Sequence, residues 1–265
     1  MSTGIVIYGT DPAQTEPALE VAENLFLQFG EKASTAIFLE FVVRDGERII
    51  EDREISLSDL REKVSTGEVT AFQVFDGGEK GGAPAISFGC NVPEFGGLSF
   101  IDVQIDRSVC EINEQIVAFL ENVVANLSCK YAIAYDAEKS SVAYKYSTGV
   151  NLVKIFPFEN TSLFTKELPG RVPGSASYER VKLRMIYPLN VLNEEHLGIR
   201  INDLSLREWI ISDSSRGSLK SIPNDMWLWA VNEMNLAEIN NACGEAGILI
   251  AWQKAPANRP ARKLP

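Results

Sequence analysis

The chain has 265 residues, 45% of them apolar, with 36 acidic against 25 basic side chains and a net charge of −11. That apolar share at this length supports a substantial core, and no stretch approaches the run of about 18 apolar residues that a membrane span needs. The acidity is uneven: residues 1–130 carry 22 Asp/Glu against 9 Lys/Arg, and residues 131–265 carry 14 against 16. Such a balance disfavours nucleic acid and anionic bilayers as partners and favours basic proteins, which a negative field attracts at long range.

The chain opens with Met1-Ser-Thr-Gly-Ile-Val-Ile-Tyr-Gly, which has neither a basic n-region nor a signal-length apolar run. A cytoplasmic protein is the expectation. Ile5–Tyr8 is a short apolar strand. Asp11-Pro12 then opens a helix with Pro at its first position; Leu19, Ala22, Phe26 and Phe29 keep helical spacing, and Gly30 stops it. Ala36–Val43 and Arg48–Ile50 flank Asp45-Gly46, a two-residue hairpin signal, and Ser58 caps a short helix to Val64.

Strands follow at Val69–Phe75, Ala85–Cys90 and Leu98–Ile105. Between the first two, Asp76-Gly-Gly-Glu-Lys-Gly-Gly82 lacks the phosphate-cradling spacing and opens no helix, so it is expected as a flexible hairpin loop. Glu111–Leu127 is the best helix, with Ile112, Ile116, Phe119, Leu120, Val123 and Leu127 on one stripe. Strands at Tyr131–Tyr135 and Val142–Tyr146 complete an acidic α+β domain over residues 1–156.

Residues 157–178 contain Pro157, Pro169, Gly170, Pro173 and Gly174 and are expected as a linker. Residues 179–254 hold all four tryptophans (Trp209, Trp227, Trp229, Trp252). They alternate strand (Val181–Tyr187), helix (Leu204–Ile211), strand (Trp227–Val231), helix (Leu236–Ala246) and strand (Ile248–Trp252). Core packing is the first expectation for the tryptophans and a carbohydrate or interface platform the second. Residues 255–265 are a basic tail, expected to be flexible. The fold class is α+β: a mainly antiparallel sheet with flanking helices, in one body or two subdomains.

Candidate chemistry is sparse. His196 is the only histidine, which removes any two-histidine metal site, and it follows Glu194-Glu195 in what should be an exposed polar turn. Cys90, Cys110, Cys129 and Cys243 form no C-x-x-C pair and are expected as buried thiols. In Phe100-Ile-Asp-Val-Gln-Ile-Asp106, period 2 places Asp102, Gln104 and Asp106 on one strand face. Asp102 and Asp106 lie roughly 14 Å apart, too far to share a metal ion or a glycosidic bond. A wet sheet face explains them, and the same face suits a cationic partner. Tyr131 and Tyr135 share a face of one strand, Tyr144 and Tyr146 a face of the next; if those strands pair, four rings gather. Packing is one role for such a cluster and partner recognition the other. No catalytic residue, cofactor site or metal site follows from these residues.

Tyr187-Pro-Leu-Asn-Val-Leu, Leu206-Arg-Glu-Trp-Ile, Arg216-Gly-Ser-Leu, Trp227-Leu-Trp-Ala-Val and Ala246-Gly-Ile-Leu resemble segments of bacterial immunity proteins of polymorphic-toxin and type VI secretion systems. The resemblance implies a cytoplasmic, non-enzymatic inhibitor that binds one cognate secreted toxin. It carries over no functional residue. With it, Asp102, Gln104, Asp106, Tyr131, Tyr135, Tyr144 and Tyr146 become the expected contact residues for a basic toxin. The competing expectation is a carboxylate-based hydrolase or a carbohydrate-binding protein with an aromatic platform, and the oligomeric state is open.

Overall fold

The computed structural model describes residues 1–76, 84–149, 152–167 and 176–254. The glycine-rich loop and the basic tail lie outside them, apart from Asp76. The described residues form twelve strands: β1 (Ser2–Tyr8), β2 (Ala33–Arg44), β3 (Glu47–Ile55), β4 (Phe72–Asp76), β5 (Ile86–Asn91), β6 (Phe100–Ile105), β7 (Tyr131–Ala137), β8 (Leu189–Leu192), β9 (Arg200–Ile201), β10 (Leu204–Ser205), β11 (Ser218–Ile222) and β12 (Met226–Ala230). All but β9 and β10 join one antiparallel sheet of ten strands, ordered β11-β12-β8-β7-β1-β6-β5-β4-β2-β3. The α+β class expected from the sequence is therefore correct.

Helices α1 (Thr15–Gln28), α2 (Leu57–Ser65) and α4 (Asn113–Asn126) cover the first sheet face. Their apolar stripes bury Leu19, Ala22, Phe26, Leu60, Val64, Ile116, Phe119 and Val123 against Ile5, Ile7, Val74, Phe88 and Val103. The second face carries another core, in which Val6, Tyr8, Ile133 and Tyr135 meet Leu183, Ile186, Trp229, Ile239 and Cys243. Helices α5 (Ser140–Ser147), α6 (Thr161–Lys166), α7 (Glu194–Leu197), α8 (Leu206–Ile211) and α9 (Leu236–Glu245) lie in that layer, and α3 (Pro93–Gly96) is a single turn after β5. β7 pairs with β8, so residues 1–156 and 179–254 contribute to one sheet. In the 157–178 segment, Glu159, Phe164 and Tyr178 are buried. Among the described residues no helix is long and apolar enough to cross a membrane.

Several local expectations change. At Asp45-Gly46 both residues have positive φ (53° and 84°), as a type I′ hairpin turn requires. Asp11-Pro12 makes a turn rather than a helix start: Asp11 Oδ1 accepts from the Ala13 N–H and α1 begins at Thr15. Ser56, not Ser58, caps α2, accepting from the Asp59 N–H at 3.1 Å. The largest correction is Val142–Tyr146, which forms helix α5 instead of a strand. Its alternating Val142, Tyr144 and Tyr146 mimic period 2. Both edges of β7 are already taken by β1 and β8, and Ala143, Tyr146 and Ser147 bury one helical face instead.

Val181–Tyr187 and Ile248–Trp252 are not strands of the sheet either. They meet through a parallel bridge, Leu183 to Leu249, and a bond from the Ala251 N–H to the Arg184 carbonyl at 3.1 Å. Between them the Asn240 side-chain amide replaces a strand partner, accepting from the Ile186 N–H and donating to the Ile186 carbonyl, each at 2.9 Å. The expected strand at Trp227–Val231 forms as β12, and it pairs with β11, which the sequence did not mark, through a turn at Asn224 and Asp225 with φ of 57° and 56°.

Candidate functional site

One register row crosses all ten strands on the second face: Glu54, Ile37, Gln73, Gly89, Asp102, Val6, Ile133, Asn190, Trp229, Leu219. From Asp102 to Trp229 this row is fully buried, whereas Ile37 and Gln73 are half-buried and Glu54 is exposed. The covering layer thus stops near β6, where α5 lies over β1, β6 and β7. Beyond it, β2 presents Ile37, Leu39 and Phe41 and β4 presents Gln73 and Phe75, and the apolar ones belong to neither core. Asp52 and Glu54 stand opposite Leu39 and Ile37 on the same face, Ile50 is 46% exposed, and Phe95 of α3 stacks on Phe41 at 4.7 Å. The result is a half-open apolar sheet surface with an acidic border.

Where this surface meets the edge of α5 there is a cleft of about 350 Å³, lined by Gln73, Phe75, Ser87, Gly89, Asp102, Gln104, Ser140, Ser141 and Tyr144 among others. Three of the expected site residues, Asp102, Gln104 and Tyr144, come together here. Asp102 is 2% exposed, not on a wet face as the alternation suggested, because α5 and the sheet's own neighbours close over it. Its Oδ1 accepts from Asn91 Nδ2 and its Oδ2 from Gln104 Nε2, both at 2.8 Å. Burial pushes its pKa up to about 6, and the two amide donors oppose that rise. Gly89 faces it across the ladder. A Cβ there would lie 2.6 Å from Asp102 Oδ1, so the glycine makes room for the carboxylate. Tyr144 is 38% exposed at the cleft wall.

The other expected contact residues go elsewhere. Asp106 lies just past β6, exposed, and accepts from Ser2 Oγ at 3.0 Å. Tyr131, Tyr135 and Tyr146 are fully buried and present nothing to a partner. Tyr146 sits instead in a polar cluster inside the second core. Its hydroxyl donates to Glu159 Oε1 at 2.7 Å and lies 2.6 Å from the Tyr187 hydroxyl. Arg184, 1% exposed, stacks its guanidinium 3.6 Å above the Tyr146 ring. One of its terminal nitrogens donates to the Tyr8 hydroxyl at 2.8 Å and to the Tyr146 carbonyl at 2.9 Å. Its Nε stands 4.0 Å from Glu159 Oε1. This cluster ties β1 to the irregular chain above it. No sequence signal marked Arg184 or Glu159 as buried, since neither sits in a regular element.

His196 is buried rather than exposed. Its Nε2 lies 2.8 Å from the Tyr178 carbonyl, and burial depresses its pKa to about 4. It closes the capping box of α7 with Asn193, a structural role. All four cysteines are free. Cys90 and Cys243 are buried thiols, as expected, but Cys110 is exposed. Among the described residues lining the Asp102 cleft, Asp102 is the one carboxylate, whereas glycosidic hydrolysis by paired carboxylates needs two. No group of three His, Cys, Asp or Glu side chains among the described residues stands close enough to hold a metal ion. Trp209 and Trp229 pack in the second core, and Trp227 and Trp252 lie half-buried against it.

No family model matches the sequence, and no curated protein matches it. Among solved structures the chain is similar to the Pseudomonas aeruginosa T6SS protein PA0821, with a TM-score of 0.55 and 13% identity over 97% of this chain and 76% of that one. At that identity the likeness is one of fold.

Proposed function

We propose that this protein is a non-enzymatic binding protein of a type VI secretion setting, an immunity protein that meets a basic toxin in the cytoplasm and blocks it. The observation that carries this reading is the half-open second face of the sheet. An apolar strip of Ile37, Leu39 and Phe75, rimmed by Asp52 and Glu54, is left uncovered by the described layer, while Phe95 and Arg48 lie over the Phe41 ring at its outer end. Apolar centres with polar rims characterise protein interfaces. The strip lies in the strongly acidic part of the chain, which suits a basic partner and speeds its approach. Similarity in fold to a T6SS protein supports the setting.

The test is to identify a basic toxin encoded beside this gene and titrate it calorimetrically, together with an assay of that toxin's activity. Association slows as salt rises, and toxin activity falls as the complex forms. Ile37→Asp and Phe75→Asp weaken binding by roughly a hundredfold, the scale of a truncated interface hot spot. Glu20→Gln, exposed on α1 behind the sheet, leaves it unchanged. No binding, or binding that leaves the toxin active, overturns the proposal.

A further inference from the structure

The cleft beside α5 holds a carboxylate that has no countercharge among the described residues. Among the described residues no Lys, Arg or His lies within ion-pairing distance of Asp102; Asn91 and Gln104 are its polar partners. Neutral amides fix its position but do not neutralise it. A nearly buried carboxylate is stabilised most by an opposite charge brought into the same low-dielectric space. Each of its oxygens accepts one hydrogen bond and retains capacity for another. Gly89 leaves room for the carboxylate to lie against the sheet, and both residues line the cleft. Phe75 and Tyr144 supply aromatic walls, which favour a cation over a neutral polar group.

We propose that the Asp102 cleft receives a guanidinium or primary ammonium group, presented as an arginine or lysine side chain by the partner that covers the open sheet face. The inference rests on the functional reading above for who presents the group. Its chemistry stands on the cleft alone. Asp102 would accept from the cation's N–H groups, Tyr144 and Phe75 would flank its plane, and the neighbouring strip of Ile37 and Phe75 would hold the apolar surface around it. The cleft then becomes the anchor of the interface, a small desolvated pocket at the inner end of a flatter apolar strip.

The probe is argininamide, with citrullinamide as its uncharged isostere, titrated into the isotopically labelled full chain and followed by amide NMR shifts. Argininamide produces saturable shifts at Gly89, Gln73 and Gln104. Citrullinamide binds weaker by roughly tenfold or more, as expected when one partner of a desolvated charge pair is removed. Asp102→Asn loses the argininamide response. Tyr144→Ala, a half-exposed helix position whose loss leaves the carboxylate in place, weakens it severalfold and serves if Asp102→Asn fails to fold. Absent shifts, or equal responses to the two probes, overturn the inference. Toxin binding that is indifferent to Asp102→Asn also removes it while leaving the functional reading intact. Argininamide binding without toxin binding removes the functional reading and leaves the pocket.

Discussion

Asp102 has an ordinary pKa of 3.8 and a folded value of about 6, and His196 goes from 6.5 down to about 4, both because burial penalises the charged form. Each shift corresponds to about 3 kcal/mol, and the two act in opposite directions. For Asp102 the folded state keeps a proton that the unfolded chain releases, so its contribution is full below pH 3.8 and is lost as pH rises through 6. For His196 the unfolded chain takes up the proton first, so its contribution is full above pH 6.5 and is lost as pH falls through 4. In the wild type the two slopes largely offset between those limits. Asp102→Asn should therefore become more stable with rising pH relative to wild type, and His196→Gln less stable. Urea midpoints measured at several pH values across that window check both, since the remaining carboxylates are common to all three proteins. Parallel profiles would show that neither group is held as described. That Asp102 and Gln104 share a face was legible from the alternation in Phe100–Asp106; their burial was not. It depends on α5, and the sequence of α5 carries a strand-like alternation of Val142, Tyr144 and Tyr146.

At the scale of elements, the β2–β3 hairpin is the plainest case of sequence dictating structure. Asp45-Gly46 supplies the two positive φ angles, and the strands on either side run in register from Ala36–Ile55 to Arg44–Glu47. The hairpin is also longer than its support: β4 pairs with β2 only as far as Phe38, and beyond the bond from the Leu39 N–H to the Ala71 carbonyl the outer part is held by its own ladder and by Phe95 stacked on Phe41. Replacing residues 43–48 with Asn-Gly joins the facing pair Val42 and Ile49 through a turn of the favoured length. The melting temperature should change by no more than about 2–4 °C, because none of the removed residues belongs to either core. A large loss of cooperativity in a thermal melt would mean the arm is structural. What stayed hidden at this scale is coverage. Ala36-Ile-Phe-Leu-Glu-Phe-Val-Val43 is apolar on both faces, and such a run does not reveal which face a second layer will reach.

For the molecule as a whole, the charge boundary between an acidic first part and a neutral second part does not coincide with a break in the sheet. β1 and β7 pair across it, and Arg184 reaches Tyr8 of β1 through a buried hydrogen bond. Unfolding should accordingly be a single transition. Tryptophan fluorescence, which reports only on residues 209–252, and far-UV circular dichroism, which reports on all elements, should then coincide in denaturant. Separated midpoints would divide the chain into two bodies. The α+β class and most of the first-half elements were legible, since local periodicity governs them. The irregular layer over the second face was not, because its backbone is tied by side chains such as Asn240 and Arg184 from distant positions.

The central place of β1 has a consequence for synthesis. Ile5 faces Val103 on one side and Ala134 on the other, 98 and 129 residues further along the chain. As the chain leaves the ribosome, Ile5-Val6-Ile7-Tyr8 waits for both of its neighbours to be translated. Roughly ten seconds pass at ordinary elongation rates before either ladder can close. During that interval a strand destined to be buried on both faces is an aggregation-prone segment with two open edges. Binding by a holdase chaperone during translation is the cellular mark of a fold whose central strand is made well before both of its neighbours.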